Sequence, residues 1–223
     1  MKTRFSNQNF QHDWSDEKKN DPPTSPDNLT EIWAAAELLI SQELLARKKG
    51  FQSLIELDEI KQNPVIVYLL ASRLTEPDLS LRSFIVKVLA DMLDGSKPTS
   101  DQSKKSRNIL ADYLSRISVK ELTSLLELAE VDPHSMEFVV QLLCSCACAG
   151  DQLTRIVMDR DQPAEIRLIS LELIGNVGYL EAIPDLERLE KRMKNRVNAE
   201  NHNSTELELL RKLDTTIQLL RSS

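Results

Sequence analysis

Three cysteines fall within five residues, Cys144-Ser145-Cys146-Ala147-Cys148, the densest group of redox- or metal-active side chains in the sequence. If that stretch is helical, Cys144 and Cys148 share a face at i,i+4 while Cys146 points elsewhere. A zinc site gathers about four ligands at one point, yet the nearest histidine, His134, would lie about 15 Å down the same helix at about 1.5 Å per residue. Leu142, Leu143, Ala147 and Ala149 around the cysteines favour another role. They suit a close helix contact in which a free cysteine acts as a small hydrophobe. His12, His134 and His202 are far apart, and none is followed by Glu. A glycine-rich phosphate loop, a nucleophile motif and a His-Glu-x-x-His zinc motif are all missing. The expectation is no catalytic residue, no cofactor-binding residue and no metal ligand.

Charge is the other chemistry to place. Lys and Arg number 28 against 35 Asp and Glu, a net charge of -7, the wrong sign for a protein built to hold phosphate backbones. Cations cluster at Arg47-Lys48-Lys49, at Lys104-Lys105-Ser106-Arg107, and most densely at Arg188, Lys191, Arg192, Lys194 and Arg196. The last group occupies the C-terminal half of a predicted helix, where positive charge also complements the helix dipole. It reads either as a solvated face or as a docking surface for an acidic partner or nucleic acid. Phe5, Phe10 and Trp14, spaced five and four apart in an otherwise polar stretch, are either anchors for a partner groove or incidental aromatics.

The elements that must position these residues read as helices. Residues 1–27, with Asp21-Pro22-Pro23-Thr24-Ser25-Pro26-Asp27, hold too few apolar side chains to offset their own ordering entropy and are expected to be a flexible tail. From Asn28 onward apolar residues recur at three- and four-residue spacing, as in Ile32, Trp33, Ala36, Leu39 and Ile40, with no strand alternation. Helices are expected at 64–74, 79–93, 104–117, 120–130, 132–149, 151–159, 163–177, 181–196 and 204–221. A loop at 95–103 and a polar insert at 198–203 punctuate them. Gly50 leaves open whether the first apolar run is one helix or two, since an interior glycine costs only about 1 kcal/mol. Asn63-Pro64 is a firmer break. With 4% aromatics and five glycines, a sandwich, barrel or doubly wound sheet is disfavoured, and the fold class expected is all-α. Met1-Lys2-Thr3-Arg4 is not followed by an apolar run, so no secretory signal is expected. Nor does any window reach about 18 apolar residues. Together with the clustered cysteines, this suggests a reducing compartment, the cytoplasm.

One segment resembles two others. Asp161-Gln162-Pro163-Ala164-Glu165-Ile166-Arg167, continuing through Ser170, Leu173, Ile174, Gly175, Val177 and Gly178, can be laid over the stretches opening at Glu76 and at Val131. Each begins with a proline-and-acid turn, followed by apolar positions that form one helix face. The pattern is similar to the HEAT repeat in its bacterial, phycobilin-lyase-like form. The match is good over residues 151–194 and fair over 64–93. It is weak over 118–150, where Glu137 stands at the arginine position and Ser145 at the glycine.

The resemblance implies an α-solenoid of about ten or eleven helices stacked as antiparallel hairpins over residues 28–223. It implies that Arg82 and Arg167 bridge to a neighbouring turn, with Glu76 and Asp161 as their acidic counterparts. Gly175 and Gly178 would allow close approach and a tight stop, and Pro184 would open the next helix. The helix at 163–177 is apolar on two sides, as an internal helix must be. The helix at 204–221 carries one stripe, Leu207, Leu210, Leu213, Ile217 and Leu220, as expected of a cap.

Stacked hairpins would present an extended concave surface, so the function expected is a non-catalytic scaffold that binds another protein, with Arg188, Lys191, Arg192, Lys194 and Arg196 or Phe5, Phe10 and Trp14 as candidate contacts. Related repeats also occur in phycobilin lyases, which handle a chromophore, and in alkylpurine DNA glycosylases, whose basic groove is lined by tryptophans. Here the tryptophans are Trp14 and Trp33. The deoxyhypusine hydroxylases hold iron with His-Glu pairs, which this chain lacks.

Overall fold

Short-range hydrogen bonds punctuate the chain into helices. In the computed structural model, which describes residues 26–57, 63–93, 101–197 and 204–222, all regular structure is helical. The elements are α1 (Pro26–Leu39), α2 (Leu44–Glu56), α3 (Pro64–Ala71), α4 (Leu79–Leu93), α5 (Asp101–Leu114), α6 (Val119–Val131), α7 (Met136–Leu143), α8 (Ala149–Met158), α9 (Ala164–Val177), α10 (Ile183–Val197) and α11 (Ser204–Ser222). Single 3-10 turns at Pro133–Ser135 and Leu180–Ala182 lead into α7 and α10.

Asn63 accepts from the Val65 N–H, with Pro64 as the first residue of α3. Ser118 and Glu121 form a reciprocal capping box on α6. Each such cap satisfies orphan donors of the first turn and contributes about 1 kcal/mol. Gly178 closes α9 at φ +84°, a left-handed position that costs other residues about 1 kcal/mol or more.

Several boundaries differ from those the sequence suggests. The first apolar run breaks at residues 40–43, leaving Gly50 inside α2. A Cβ at Gly50 would stand 2.6 Å from the Ala35 carbonyl oxygen and 2.7 Å from the Leu39 nitrogen. The glycine is there because α1 passes directly over it. Residues 101–103, expected in a loop, begin α5, and Ser204, expected as a cap, is the first helical residue of α11.

The predicted helix 132–149 ends at Leu143, and α8 already includes Gly150. Its break is stabilised from a distance. The Tyr179 hydroxyl, buried between the segments, points at the Leu143 and Cys146 carbonyls at 2.7 and 3.0 Å, so carbonyls freed by the broken helix find a donor.

Helix packing follows chain order. α1 pairs with α2, α3 with α4 and α5, and α8 with both α9 and α10. α4, α7, α9 and α11 contact one another in that sequence, forming a row. The principal contacts join helices no more than three apart along the chain. α9 lies among α6, α7, α8 and α11, which explains its two-sided apolar pattern. Leu171, Leu173, Ile174 and Gly175 are buried, and Ala164, Ile166, Leu168 and Ile169 are half-buried.

α11 buries Leu209, Leu213, Thr216, Ile217 and Leu220. Leu209 takes the inward position expected of Leu207 and Leu210, which lie half-buried at the flanks. The outward residues Glu208, Arg211, Thr215 and Gln218 are exposed. Each buried Leu or Ile contributes about 1.5–3 kcal/mol relative to exposure.

Candidate functional site

Three places in the fold gather the residues that chemistry could use. The first is a polar junction at the α3–α4 turn. Glu76 is fully buried. Its Oε1 accepts from Arg47 Nε at 2.9 Å and faces Arg47 Nη2 at 2.8 Å, while Oε2 meets Arg73 Nη2 at 2.6 Å. Burial pushes the Glu76 carboxyl up, but hydrogen bonds from Arg73, Arg47 and the Asp78 N–H, with the Arg73 charge, outweigh it and hold the group below the ordinary glutamate value.

Arg82 does not pair with this carboxylate. Its Nε donates to the Glu76 backbone carbonyl at 2.6 Å, and its Nη1 reaches the Ser124 carbonyl at 2.8 Å and Glu127 Oε2 at 3.1 Å on α6. Arg47, which the sequence places in an exposed basic cluster, is buried. The signal was present: Arg47 lies three, four and seven residues before Gly50, Phe51 and Leu54, on the buried stripe of α2. Arg73 was likewise not singled out by the sequence. The junction holds α2, the α3–α4 turn and α6 together, and every charge in it has a protein partner.

The equivalent position in α9 differs. Arg167 Nε donates to the Val157 carbonyl at the end of α8, 2.9 Å away. Asp161 is exposed, and its backbone N–H donates to Asp159 Oδ1; it does not bond Arg167. Burial lowers the Arg167 pKa first, and the neighbouring Arg160 and Arg196 lower it further. That shift reports burial first and neighbouring positive charge second. Gly175 faces α11, where a Cβ would meet Leu219 Cδ2 at 3.2 Å. Pro184 lies in the first turn of α10 and accepts from Arg188 Nε.

The cysteines occupy the turn between α7 and α8, so Cys144 and Cys148 do not share a helix face. Cys146 is buried, Cys148 half-buried and Cys144 exposed. Burial pushes the Cys146 thiol up to about 12, and its Sγ donates to the Leu142 carbonyl. Among the described residues no group of three His, Cys, Asp or Glu could hold a metal ion.

The third place is the groove between α8 and α10. One recess of about 460 Å³ is lined by Met158, Arg188, Lys191, Arg192 and Asn195. A second, of about 550 Å³, also uses Met158 and is bounded by Asp151, Arg155, Asp159 and Asp185. Arg188 pairs with Asp185 at 2.5 Å, Lys194 pairs with Glu190, and Arg196 approaches Glu206 at 3.9 Å. Arg192 Nη2 lies 3.6 Å from Met158 Sδ. The five cations of the predicted cluster are thus split, some in intrahelical pairs and some turned to the groove. Phe5, Phe10 and Trp14 lie outside the described residues. Leu29 and Trp33 on α1 are exposed, as is Ile40 just beyond its end. No helix among the described residues is long and apolar enough to cross a membrane. Compared with protein-family models, with curated proteins and with solved structures, the chain matches none.

Proposed function

We propose that this chain is a non-catalytic interaction module, an α-solenoid of HEAT-like hairpins that holds another protein in the cytoplasm. The observation that supports this reading is the order of helix contacts: principal contacts link only near neighbours in the chain, and α4, α7, α9 and α11 form a row. A row of that kind leaves long faces open, and stacked repeats use such faces for extended binding. Arg82 and Arg167 favour the reading too, because each ties its helix to a neighbouring turn or helix through backbone carbonyls. The charged groups at the α3–α4 junction pair with one another and leave none poised over a cavity for acid–base work.

Affinity capture from native cytosol tests the reading, using the full chain and a form lacking residues 1–27. A discrete partner retained at near-stoichiometric amounts is the expected result. Folded full-length protein that retains no protein, yet binds bilin by absorbance or turns over a small molecule, overturns it.

A further inference from the structure

Cationic side chains gather where α8 ends. Arg167, early in α9, donates its Nε to the Val157 carbonyl at 2.9 Å, which fixes the guanidinium against the last turn of α8. Arg192 Nη2 lies 3.6 Å from the sulfur of Met158, the final residue of α8, so the later part of α10 reaches the same end. Arg196 follows Arg192 by one helical turn, on the same face of α10. Arg160 stands just beyond Met158, in the turn that leads to α9. Arg160, Arg167 and Arg196 therefore come from a turn and two helices that meet at one place. Arg167 registers the other two: after burial, their charge lowers its pKa further.

Little in the fold answers this charge. The C-terminal end of a helix presents about half a negative charge, and the bond from Arg167 already addresses it. The carboxylates that favour the charged form of Arg167 are Asp159 and Glu206, and each acts on it less strongly than Arg160 or Arg196. Asp159 is occupied by its own turn, accepting from the Asp161 N–H and the Gln162 amide. Glu206 approaches Arg196 only to 3.9 Å. Among the described residues, the Arg160 side chain has no hydrogen-bond or ion-pair partner, and the Arg167 side chain has none beyond the Val157 carbonyl. Fastening α9 to α8 needs Arg167 alone. Two further arginines beside it, in a chain of net charge -7, leave positive charge that the protein itself does not neutralise.

The shape of that charge selects its ligand. A carboxylate fills one guanidinium fork, whereas a phosphomonoester carries about -1.5 to -2 charges on three acceptor oxygens and can face several forks at once. A phosphate strand needs cations spread along a track, and these are gathered at one helix end with Asp159 and Glu206 beside them. We propose that Arg160, Arg167 and Arg196 form an oxyanion site at the end of α8 that binds one phosphomonoester group.

Two sources carry such a group, a small phosphorylated molecule and a phosphoserine on another protein, and the test separates them. Inorganic phosphate, O-phosphoserine and a short Gly/Ala peptide bearing one phosphoserine are each titrated with the full chain at constant ionic strength and followed by phosphorus NMR. Saturable shifts are expected, weakened at least roughly tenfold in Arg160→Gln/Arg196→Gln, because hydrogen bonds between charged partners are among the stronger ones. Arg160→Gln alone should leave the anion-free melting temperature unchanged or raise it, since the substitution removes a like charge and no protein contact. A purely structural arginine would not behave so. O-phosphoserine binding at least as tightly as the peptide identifies a small ligand, and a phosphopeptide that binds more tightly than both other probes identifies a partner protein.

Absence of saturable shifts up to tens of millimolar probe overturns the proposal, as does binding unchanged in Arg160→Gln/Arg196→Gln. So does an anion-free loss of melting temperature in Arg160→Gln as large as that in Arg167→Gln, which would make Arg160 a support of the fold. A single-stranded DNA 20-mer bound more tightly than the phosphopeptide, with the same dependence on Arg160 and Arg196, also overturns it. The inference goes beyond the module reading. A chain that captures a foreign protein without binding phosphate, or binds phosphate without capturing a protein, fails one and keeps the other.

Discussion

Two guanidinium groups and the Asp78 N–H converge on the Glu76 carboxylate. Glu76→Gln keeps the shape and removes the charge, leaving Arg47 and Arg73 short of their counterion. Breaking a buried ion pair from one side costs roughly 3 kcal/mol or more, and urea unfolding at pH 7 should register a loss of that order. The sign with pH follows from the lowered pKa. The contribution is present above the ordinary glutamate range and is lost as pH falls through the lowered value, so the gap between wild type and Glu76→Gln should shrink as the titration runs from neutral to about pH 3. Cysteine reactivity is a second residue-level outcome. The thiolate is the nucleophile, and burial raises the Cys146 thiol still further above neutral pH, to about 12, and shields it from reagent. Iodoacetamide followed by mass spectrometry should modify exposed Cys144 first and Cys146 only on unfolding. Equal rates at all three would contradict the packing of that turn.

At the scale of elements, two helix-interior glycines serve different purposes, and alanine tests each. A Cβ at Gly50 would strike backbone atoms of α1 at 2.6 and 2.7 Å, which can move only if the whole helix moves. Overpacking of this kind costs about 1–3 kcal/mol, exceeding the roughly 1 kcal/mol that alanine gains in helix propensity. Gly50→Ala should therefore lower the melting temperature. At Gly175 the nearest atom is Leu219 Cδ2 at 3.2 Å, the end of a partly exposed side chain that can yield. Propensity and crowding then nearly cancel, so Gly175→Ala should shift the melting temperature by no more than about 2–4 °C, the equivalent of 1 kcal/mol at this chain length. The reverse ranking would refute the α1–α2 geometry. These helices were legible from their stop signals, Pro64 and Gly178 among them, whereas Gly50 was ambiguous because its reason lies on another helix.

For the whole molecule, the order of contacts implies stability that varies along the chain. The α1–α2 pair is joined to the α3–α4 turn through Arg47–Glu76 and Lys48–Asp78. In a stack of near-neighbour contacts, loss of one interface loosens its own end first. Native-state hydrogen exchange should find that Glu76→Gln speeds exchange in α1 and α2 while α9 keeps its protection. Equal acceleration everywhere would mean that the helices unfold as one closed bundle. At this scale the composition was informative about class, since few aromatics and few glycines left a helical array as the simplest product, but the α8–α10 groove was visible only as a run of cations on one helix.

The amino-acid sequence alone determined that the described chain is helical and placed most helix starts, because apolar periodicity and caps act within three or four residues. It also marked α9 as internal, since the width of an apolar stripe is written on the helix itself. Tertiary structure alone decided where the predicted helix at 132–149 breaks, because the donor that receives its free carbonyls, Tyr179, is 33 and 36 residues away. It alone turned Arg47 inward, since the carboxylate that makes burial tolerable arrives 29 residues later. Only the folded chain set Met158 beside Arg192. The reason is common to all three: a polar group's tolerance for burial, or for facing a groove, depends on partners that local spacing does not specify.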